Sequence, residues 1–195
     1  ASFCATTQGA PPKPNILLIL ADDLGYGDVR CYNSEAKVAT PHIDQLASEG
    51  MRFTDAHSPA TVCTPTRYSL MTGQMAFRVP NGGTVFQGVG GPSLIAPGRL
   101  TLPAMLRNQG YATAAVGKWH IGWTFRDKSG EPIHDGRLEA IHRVDFSRRI
   151  EGGPVDHGFD QFFGTACCPT TDWLYSFIEN DRIPVPPSGP LDKST

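Results

Sequence analysis

Three short constellations in this 195-residue chain carry side chains that could do chemistry. Cys63 stands just ahead of a predicted helix, in the run Cys63, Thr64, Pro65, Thr66, Arg67. Backbone N–H groups at a helix N-terminus favour an anion. Arg67, four residues on, shares a face of that helix turn and leans back towards Cys63. The pair suits a nucleophile beside a tetrahedral oxyanion; a buried structural thiol with a surface arginine fits the same spacing. Lys118 and His120 are two residues apart in the segment Gly117 to Gly122. In extended chain they share a face and Trp119 takes the other. Lysine offers a point charge to an anionic ligand, and histidine offers proton transfer near neutral pH. A solvated strand-end pair is the commoner fate of such residues. Asp22 and Asp23 follow an apolar run. Adjacent carboxylates repel, and oxygen-only donors favour Ca²⁺ or Mg²⁺. One capping Asp beside one solvated Asp is the simpler account of that dipeptide by itself.

The elements that must position these residues alternate between strand and helix. Asn15 to Ala21 is a continuous apolar run, read as a central strand buried on both faces. Its end would place Asp22 and Asp23 where open α/β sheets bind ligands. Thr40 to Gly50 is punctuated as a helix, with Thr40 as N-cap, Pro41 at N1 and Gly50 past the end. Met51 to His57 reads as a strand, and Pro65 to Met71 as a helix capped by Thr64. Residues 78–100 are Gly/Pro-rich and read as loop. Thr101 to Gly110 repeats the helix design, and Tyr111 to Val116 is a strand running into Lys118 and His120. The expected fold class is α/β, a mainly parallel sheet flanked by helices. Residues 124–156, dense in both charges, are expected to be a solvated insertion with a short helix near 136–145. His157 to Phe163 reads as a further strand. Residues 1–13 are expected to be a flexible lead, and 184–195 a Pro-rich tail.

Composition bounds the function. Seventeen Lys and Arg against nineteen Asp and Glu give a net charge of −2, which excludes a basic nucleic-acid-binding domain on bulk charge. No apolar run approaches the roughly 18 residues of a membrane-spanning helix. The five Cys, at 4, 31, 63, 167 and 168, match no zinc-binding spacing. The small, polar residues 1–15 resemble a processed N-terminus, so an exported location (periplasmic, extracellular or lysosomal) is expected.

The order of the constellations resembles the sulfatase family of the alkaline phosphatase superfamily. Cys63 to Gly73 is similar to that family's first signature, and Gly110 to His120 to its second. Pro14 to Gly27 and Thr40 to Phe53 are also sulfatase-like. The resemblance implies an alkaline-phosphatase-like fold over 14–183, and hydrolysis of carbohydrate or aryl sulfate esters. It implies that a maturation enzyme oxidises Cys63 to formylglycine, whose hydrate is the nucleophile. One hydroxyl of the gem-diol attacks sulfur. The other then loses its proton, expels sulfate by C–O cleavage and restores the aldehyde. By the same resemblance Asp22, Asp23 and the formylglycine at 63 hold a divalent cation, Ca²⁺ with Mg²⁺ as alternative. Arg67 neutralises charge beside the nucleophile, Lys118 binds sulfate oxygens, and His120 hydrogen-bonds the gem-diol.

Departures from the family pattern shape further expectations. A second His beyond the Lys–His segment is missing; Cys167 to Trp173 occupies that region, and Asp172 is a weaker candidate for substrate contact. No Ser-Asp-Asn-Gly-type segment occurs, so the chain reads as the N-terminal part of a catalytic domain with about half of the cation shell. Ca²⁺ takes about 6–8 oxygens, and the 195-residue chain alone is expected to bind it poorly and turn over slowly or not at all. His57 is read as packing, and His42, His134 and His142 as exposed. Trp123, Trp173 and Tyr175 are candidates to stack on a substrate ring, with core packing as alternative. Three other functions compete. They are a phosphate or phosphonate monoester hydrolase using the same site, a cysteine-dependent phosphatase, and a non-catalytic module that binds sulfated glycans.

Overall fold

The structure, a computed structural model, describes residues 12–168 and 172–189. It divides into two units, 1–55 and 56–195. Most of the expected lead and the last residues of the expected tail lie outside the described residues.

In the first unit the expected helix forms as α1, Pro41–Glu49, with Pro41 at its start. Thr40 precedes it, but its hydroxyl does not cap a helix N–H. It accepts from the Arg30 N–H at 3.0 Å and donates to Asp44 Oδ1 at 3.1 Å. That carboxylate also accepts from the Cys31 N–H at 2.8 Å, which ties the helix start to the loop before it. Gly50 ends the helix by donating its N–H to the Leu46 carbonyl. The two strands expected on either side of α1 do not form. Asn15 to Ala21 runs without secondary structure, and Leu17 is 85% exposed. A strand exists through hydrogen bonds to a neighbour, and no strand among the described residues pairs with this run. Met51 to His57 is likewise irregular, with Met51 and Phe53 exposed.

The second unit opens with α2, Cys63–Thr72. The expected helix is longer than its predicted span, because Cys63 itself is its first residue and Val62 stands at the N-cap. Thr64 is therefore not the cap; it lies inside the first turn and is wholly buried. Gly73 ends α2 at φ 65°, the left-handed geometry that glycine adopts without steric cost. Helix α3, Leu102–Asn108, is capped as expected, the Thr101 hydroxyl oxygen accepting from the Ala104 N–H at 3.2 Å.

Strand β1, Ala114–Lys118, follows α3. Next come a short hairpin of β2, Phe125–Arg126, and β3, Pro132–Ile133, and the single turn α4, Leu138–Ile141. Strands β4, Gln161–Thr165, and β5, Ile178–Glu179, complete the described sheet in the order β1-β4-β5. The α/β character holds, but this sheet is mixed: β1 and β4 are parallel, β4 and β5 antiparallel. Gly117 and Gly164 face each other across β1 and β4. A Cβ on Gly164 would stand 1.8 Å from the Gly117 carbonyl oxygen, so the two strands approach this closely only because residue 164 is glycine.

The segment 124–156 is not the solvated insertion its charge suggests. Phe125, Ile133, Ala140, Ile141 and Val144 are buried in the main core with Trp119, Trp123 and Phe162. Its charges pair at the rim, Arg126 with Glu151, Arg148 with Asp145, and Arg149 with both Asp156 and Asp181. Pairing leaves the apolar residues between them free to turn inward. The strand expected from His157 starts later. Pro154–His157 is a 3-10 turn, and only Gln161 onward is extended. Ile183, just ahead of the expected tail, is buried in the core.

Candidate active site

Cys63 is the first residue of α2, where backbone N–H groups lack partners within the helix and attract negative charge. Lys118 is the last residue of β1, and its Nζ lies 3.2 Å from Cys63 Sγ. Arg67, one turn along α2, donates from Nη1 to the Lys118 carbonyl at 2.5 Å. The helix therefore holds the strand end through Arg67, while the strand end presents its ammonium to the sulfur. Cys63 and Arg67 of one constellation and Lys118 of another come together here.

His120 does not continue the strand. Its backbone is left-handed at φ 58°, so the two-residue alternation that would align it with Lys118 stops. The ring is buried, and its Nε2 lies 2.5 Å from the Phe86 carbonyl. A carbonyl can only accept, so Nε2 is the donor in this contact. Asp172 is 1% exposed. Its Oδ1 accepts from the backbone N–H of Gly88 at 2.5 Å and of Leu174 at 3.3 Å. The strap around Phe86 and Gly88 thus links His120 to Asp172. Cys167 lies in the same cluster. Burial pushes its thiol pKa well above the ordinary value; the Asp172 charge adds to the shift and the Lys118 charge opposes it.

Asp22 and Asp23 belong to the first unit. The chain bends there, both residues are exposed, and Asp23 is left-handed at φ 63°, a conformation Asp tolerates better than most residues. Their hard oxygens suit Ca²⁺ or Mg²⁺ in kind. They fall short in number: among the described residues no group of three or more His, Cys, Asp or Glu could hold a metal ion.

The remaining candidates separate clearly. Trp123 is fully buried against Phe125 and Phe162, which makes it core. Trp173 is partly buried, and Tyr175 is exposed beside Phe177. His42, His57, His134 and His142 are exposed. His157 is buried between a hydrogen bond to Ser93 and a stacked Trp119. The strap was invisible to motif reading because it acts through the Phe86 carbonyl and the Gly88 N–H. Only its glycine content pointed to backbone at work.

The sulfatase family profile matches residues 14–181. The chain belongs to the sulfatase family. It is 37% identical over 170 residues to steryl-sulfatase of Mus musculus, covering 84% of this chain and 23% of that protein. It is 47% identical over 119 residues to the N-acetylgalactosamine-6-O-sulfatase of Bacteroides thetaiotaomicron, covering 56% and 21%. A solved structure from work on glycosaminoglycan metabolism by Bacteroides thetaiotaomicron superposes with a TM-score of 0.71 at 36% identity, over 88% of this chain and 32% of that one. A second, described as Ps i-CgsB in complex with k-i-k-neocarrahexaose, gives a TM-score of 0.62 at 25% identity, over 88% and 37%. These sulfatase relatives share the α/β fold. The chain spans about a quarter of the length of the curated relatives it matches. No helix among the described residues is long and apolar enough to cross a membrane.

Proposed function

We propose that this sulfatase chain carries the nucleophile end of a sulfate-ester hydrolase acting on sulfated glycans, with Cys63 matured to formylglycine. One observation supports the reading most: the Lys118 ammonium lies 3.2 Å from Cys63 Sγ at a helix N-terminus. A cation and a set of N–H groups converge where a tetrahedral sulfate-ester anion would be attacked. The glycan preference draws on the N-acetylgalactosamine-6-O-sulfatase relative and on the neocarrahexaose complex.

Formylglycine, once formed, supplies a hydrated carbonyl that can accept the sulfuryl group and later release sulfate. The chain's own residues do the rest. Lys118 binds an ester oxygen and offsets the charge that builds on it. Arg67 fixes the Lys118 backbone, so the ammonium is held in place before substrate arrives. His120, held through Nε2 by the Phe86 carbonyl, would hydrogen-bond the gem-diol and assist release of sulfate. Asp22 and Asp23 would hold the divalent cation together with further oxygens, the cation polarising the sulfate when bound. Contact between Asp172 and substrate is a weaker part of this reading, since its Oδ1 is already engaged by two backbone donors.

The test uses the natural full-length protein, expressed with a formylglycine-generating enzyme. Mass spectrometry of the Cys63 peptide should find an aldehyde in place of the thiol. Sulfate release from a sulfated oligosaccharide should exceed phosphate release from a matched phosphate ester, and Cys63→Ala should abolish it. A retained thiol, or faster phosphate release, would overturn the reading.

A further inference from the structure

The second unit contains a cleft of about 660 Å³. Its walls are the strap 84–91 and the segment 134–139, and Trp173 lines it. The volume lies within the roughly 300–1,000 Å³ typical of small-molecule sites. The two walls are set by close backbone approach: a Cβ on Gly136 would stand 2.7 Å from the Gln87 carbonyl oxygen. The cleft also adjoins the catalytic cluster through shared residues. Phe86 lines it and accepts from His120, while Asp172, beside Trp173, holds Gly88 of the same strap.

We propose that this cleft binds the sugar rings attached to the sulfated one, with Trp173 as the ring-contacting surface and Arg137 with Gln87 as hydrogen-bonding partners. The inference rests on the sulfatase reading and names its substrate class as an oligosaccharide. The lining decides between glycan and steroid. Gln87, His134, Arg137 and Glu139 put polar groups on every wall, and a steroid would desolvate them without replacing their hydrogen bonds. A sugar offers hydroxyls to the polar groups and a C–H face to an aromatic ring. Arg137 is also pre-oriented. It makes three hydrogen bonds to the Asp135 carboxylate, and that contact holds the carboxyl down at about 2, so the pair stays ionised at any working pH. The outward N–H groups of the guanidinium remain for a ligand, since its side chain is 79% exposed.

The experiment titrates the natural full-length protein with an unsulfated tetrasaccharide of alternating uronic acid and N-acetylgalactosamine, by calorimetry. Trp173→Ala should weaken binding about tenfold, or about 1.4 kcal/mol; Arg137→Ala should weaken it in the same direction. Trp173→Phe, which keeps a ring, should retain most of the affinity and so separates lost stacking from lost folding. In parallel kinetics, Trp173→Ala should raise KM for the sulfated tetrasaccharide at least about tenfold more than for a small aryl sulfate. Equal losses on both esters, or unchanged tetrasaccharide binding in Trp173→Ala, would overturn the cleft assignment. Absence of sulfate release from either ester, with the unsulfated titration intact, would instead overturn the sulfatase reading and leave the cleft standing.

Discussion

Lys118 Nζ lies 3.2 Å from Cys63 Sγ, across 55 residues of sequence. The contact joins the last residue of a strand to the first residue of a helix, so neither partner is free to drift. Replacing Lys118 with Ala should lower kcat/KM for a sulfate ester about a hundredfold, the cost of removing one pre-placed charge donor from an oxyanion. Lys118→Arg should recover part of the loss, because charge returns with a different reach. Steady-state sulfate release checks this, and a loss of less than about threefold would contradict the role.

Arg67 acts one step further out. Its guanidinium donates to the carbonyl of Lys118, the last residue of β1. Arg67→Ala should reduce unfolding free energy by about 1–3 kcal/mol, the cost of stranding a part-buried acceptor. It should also lower kcat more than it raises KM, since the ammonium loses its fixed position rather than its charge. Urea titration together with a kcat and KM split would show both effects.

The sequence made these residues legible because each sits at an element boundary marked by side chains: Pro65 and Gly73 around α2, and Gly117 before Lys118. What it hid was backbone chemistry. The Phe86 carbonyl and the Gly88 N–H carry no side-chain signal, so the strap linking His120 to Asp172 read only as loop. Charge density misled for residues 124–156, because paired Arg and Asp mask the inward apolar residues between them. The apolar run Asn15 to Ala21 misled in the opposite sense. Hydrophobicity marks a segment that prefers burial, but a strand also needs a ladder, and none is present for it among the described residues.

Asp172→Asn separates two roles. The carboxylate holds the Gly88 and Leu174 N–H groups while 1% exposed. As a clamp, its loss should cost about 1–3 kcal/mol of stability, a hydrogen bond to a charged group being exchanged for a neutral one, and should lower kcat through the His120 strap. As a substrate contact, it would raise KM with stability unchanged. Thermal unfolding and kinetics on the same variant distinguish the two, and the geometry predicts the first.

Acid should destabilise the second unit through His157. Burial holds its pKa below the usual imidazole value of about 6.5, against an opposing pull from the Asp156 charge. The unfolded chain therefore binds a proton more readily than the folded one. The stability contributed by the neutral ring is fully present above about 6.5 and is lost as pH falls through the lower folded value. Between pH 7.5 and pH 5.5 the urea midpoint should fall for the natural protein and fall less for His157→Gln. Equal slopes in the two proteins would remove His157 from the account.

Gly164 supplies the sharpest test of how the sheet positions the site. Its Cβ-to-be meets the Gly117 carbonyl oxygen at 1.8 Å and the Gly117 nitrogen at 2.9 Å, all rigid backbone. Gly117 in turn precedes Lys118, and its φ of 112° is one that side-chain-bearing residues rarely adopt. Gly164→Ala must push β1 away from β4, so the cost should be about 3 kcal/mol or more, well above an ordinary surface substitution. The displaced strand would carry Lys118 away from Cys63, and sulfate release should fall even in molecules that remain folded. Gly73→Ala is the matched control. Its Cβ would meet nothing within 4 Å, so it should cost only the strain of φ 65° and leave the Lys118 contact in place. Equal effects of the two substitutions on turnover would show that β1 is not what holds the lysine.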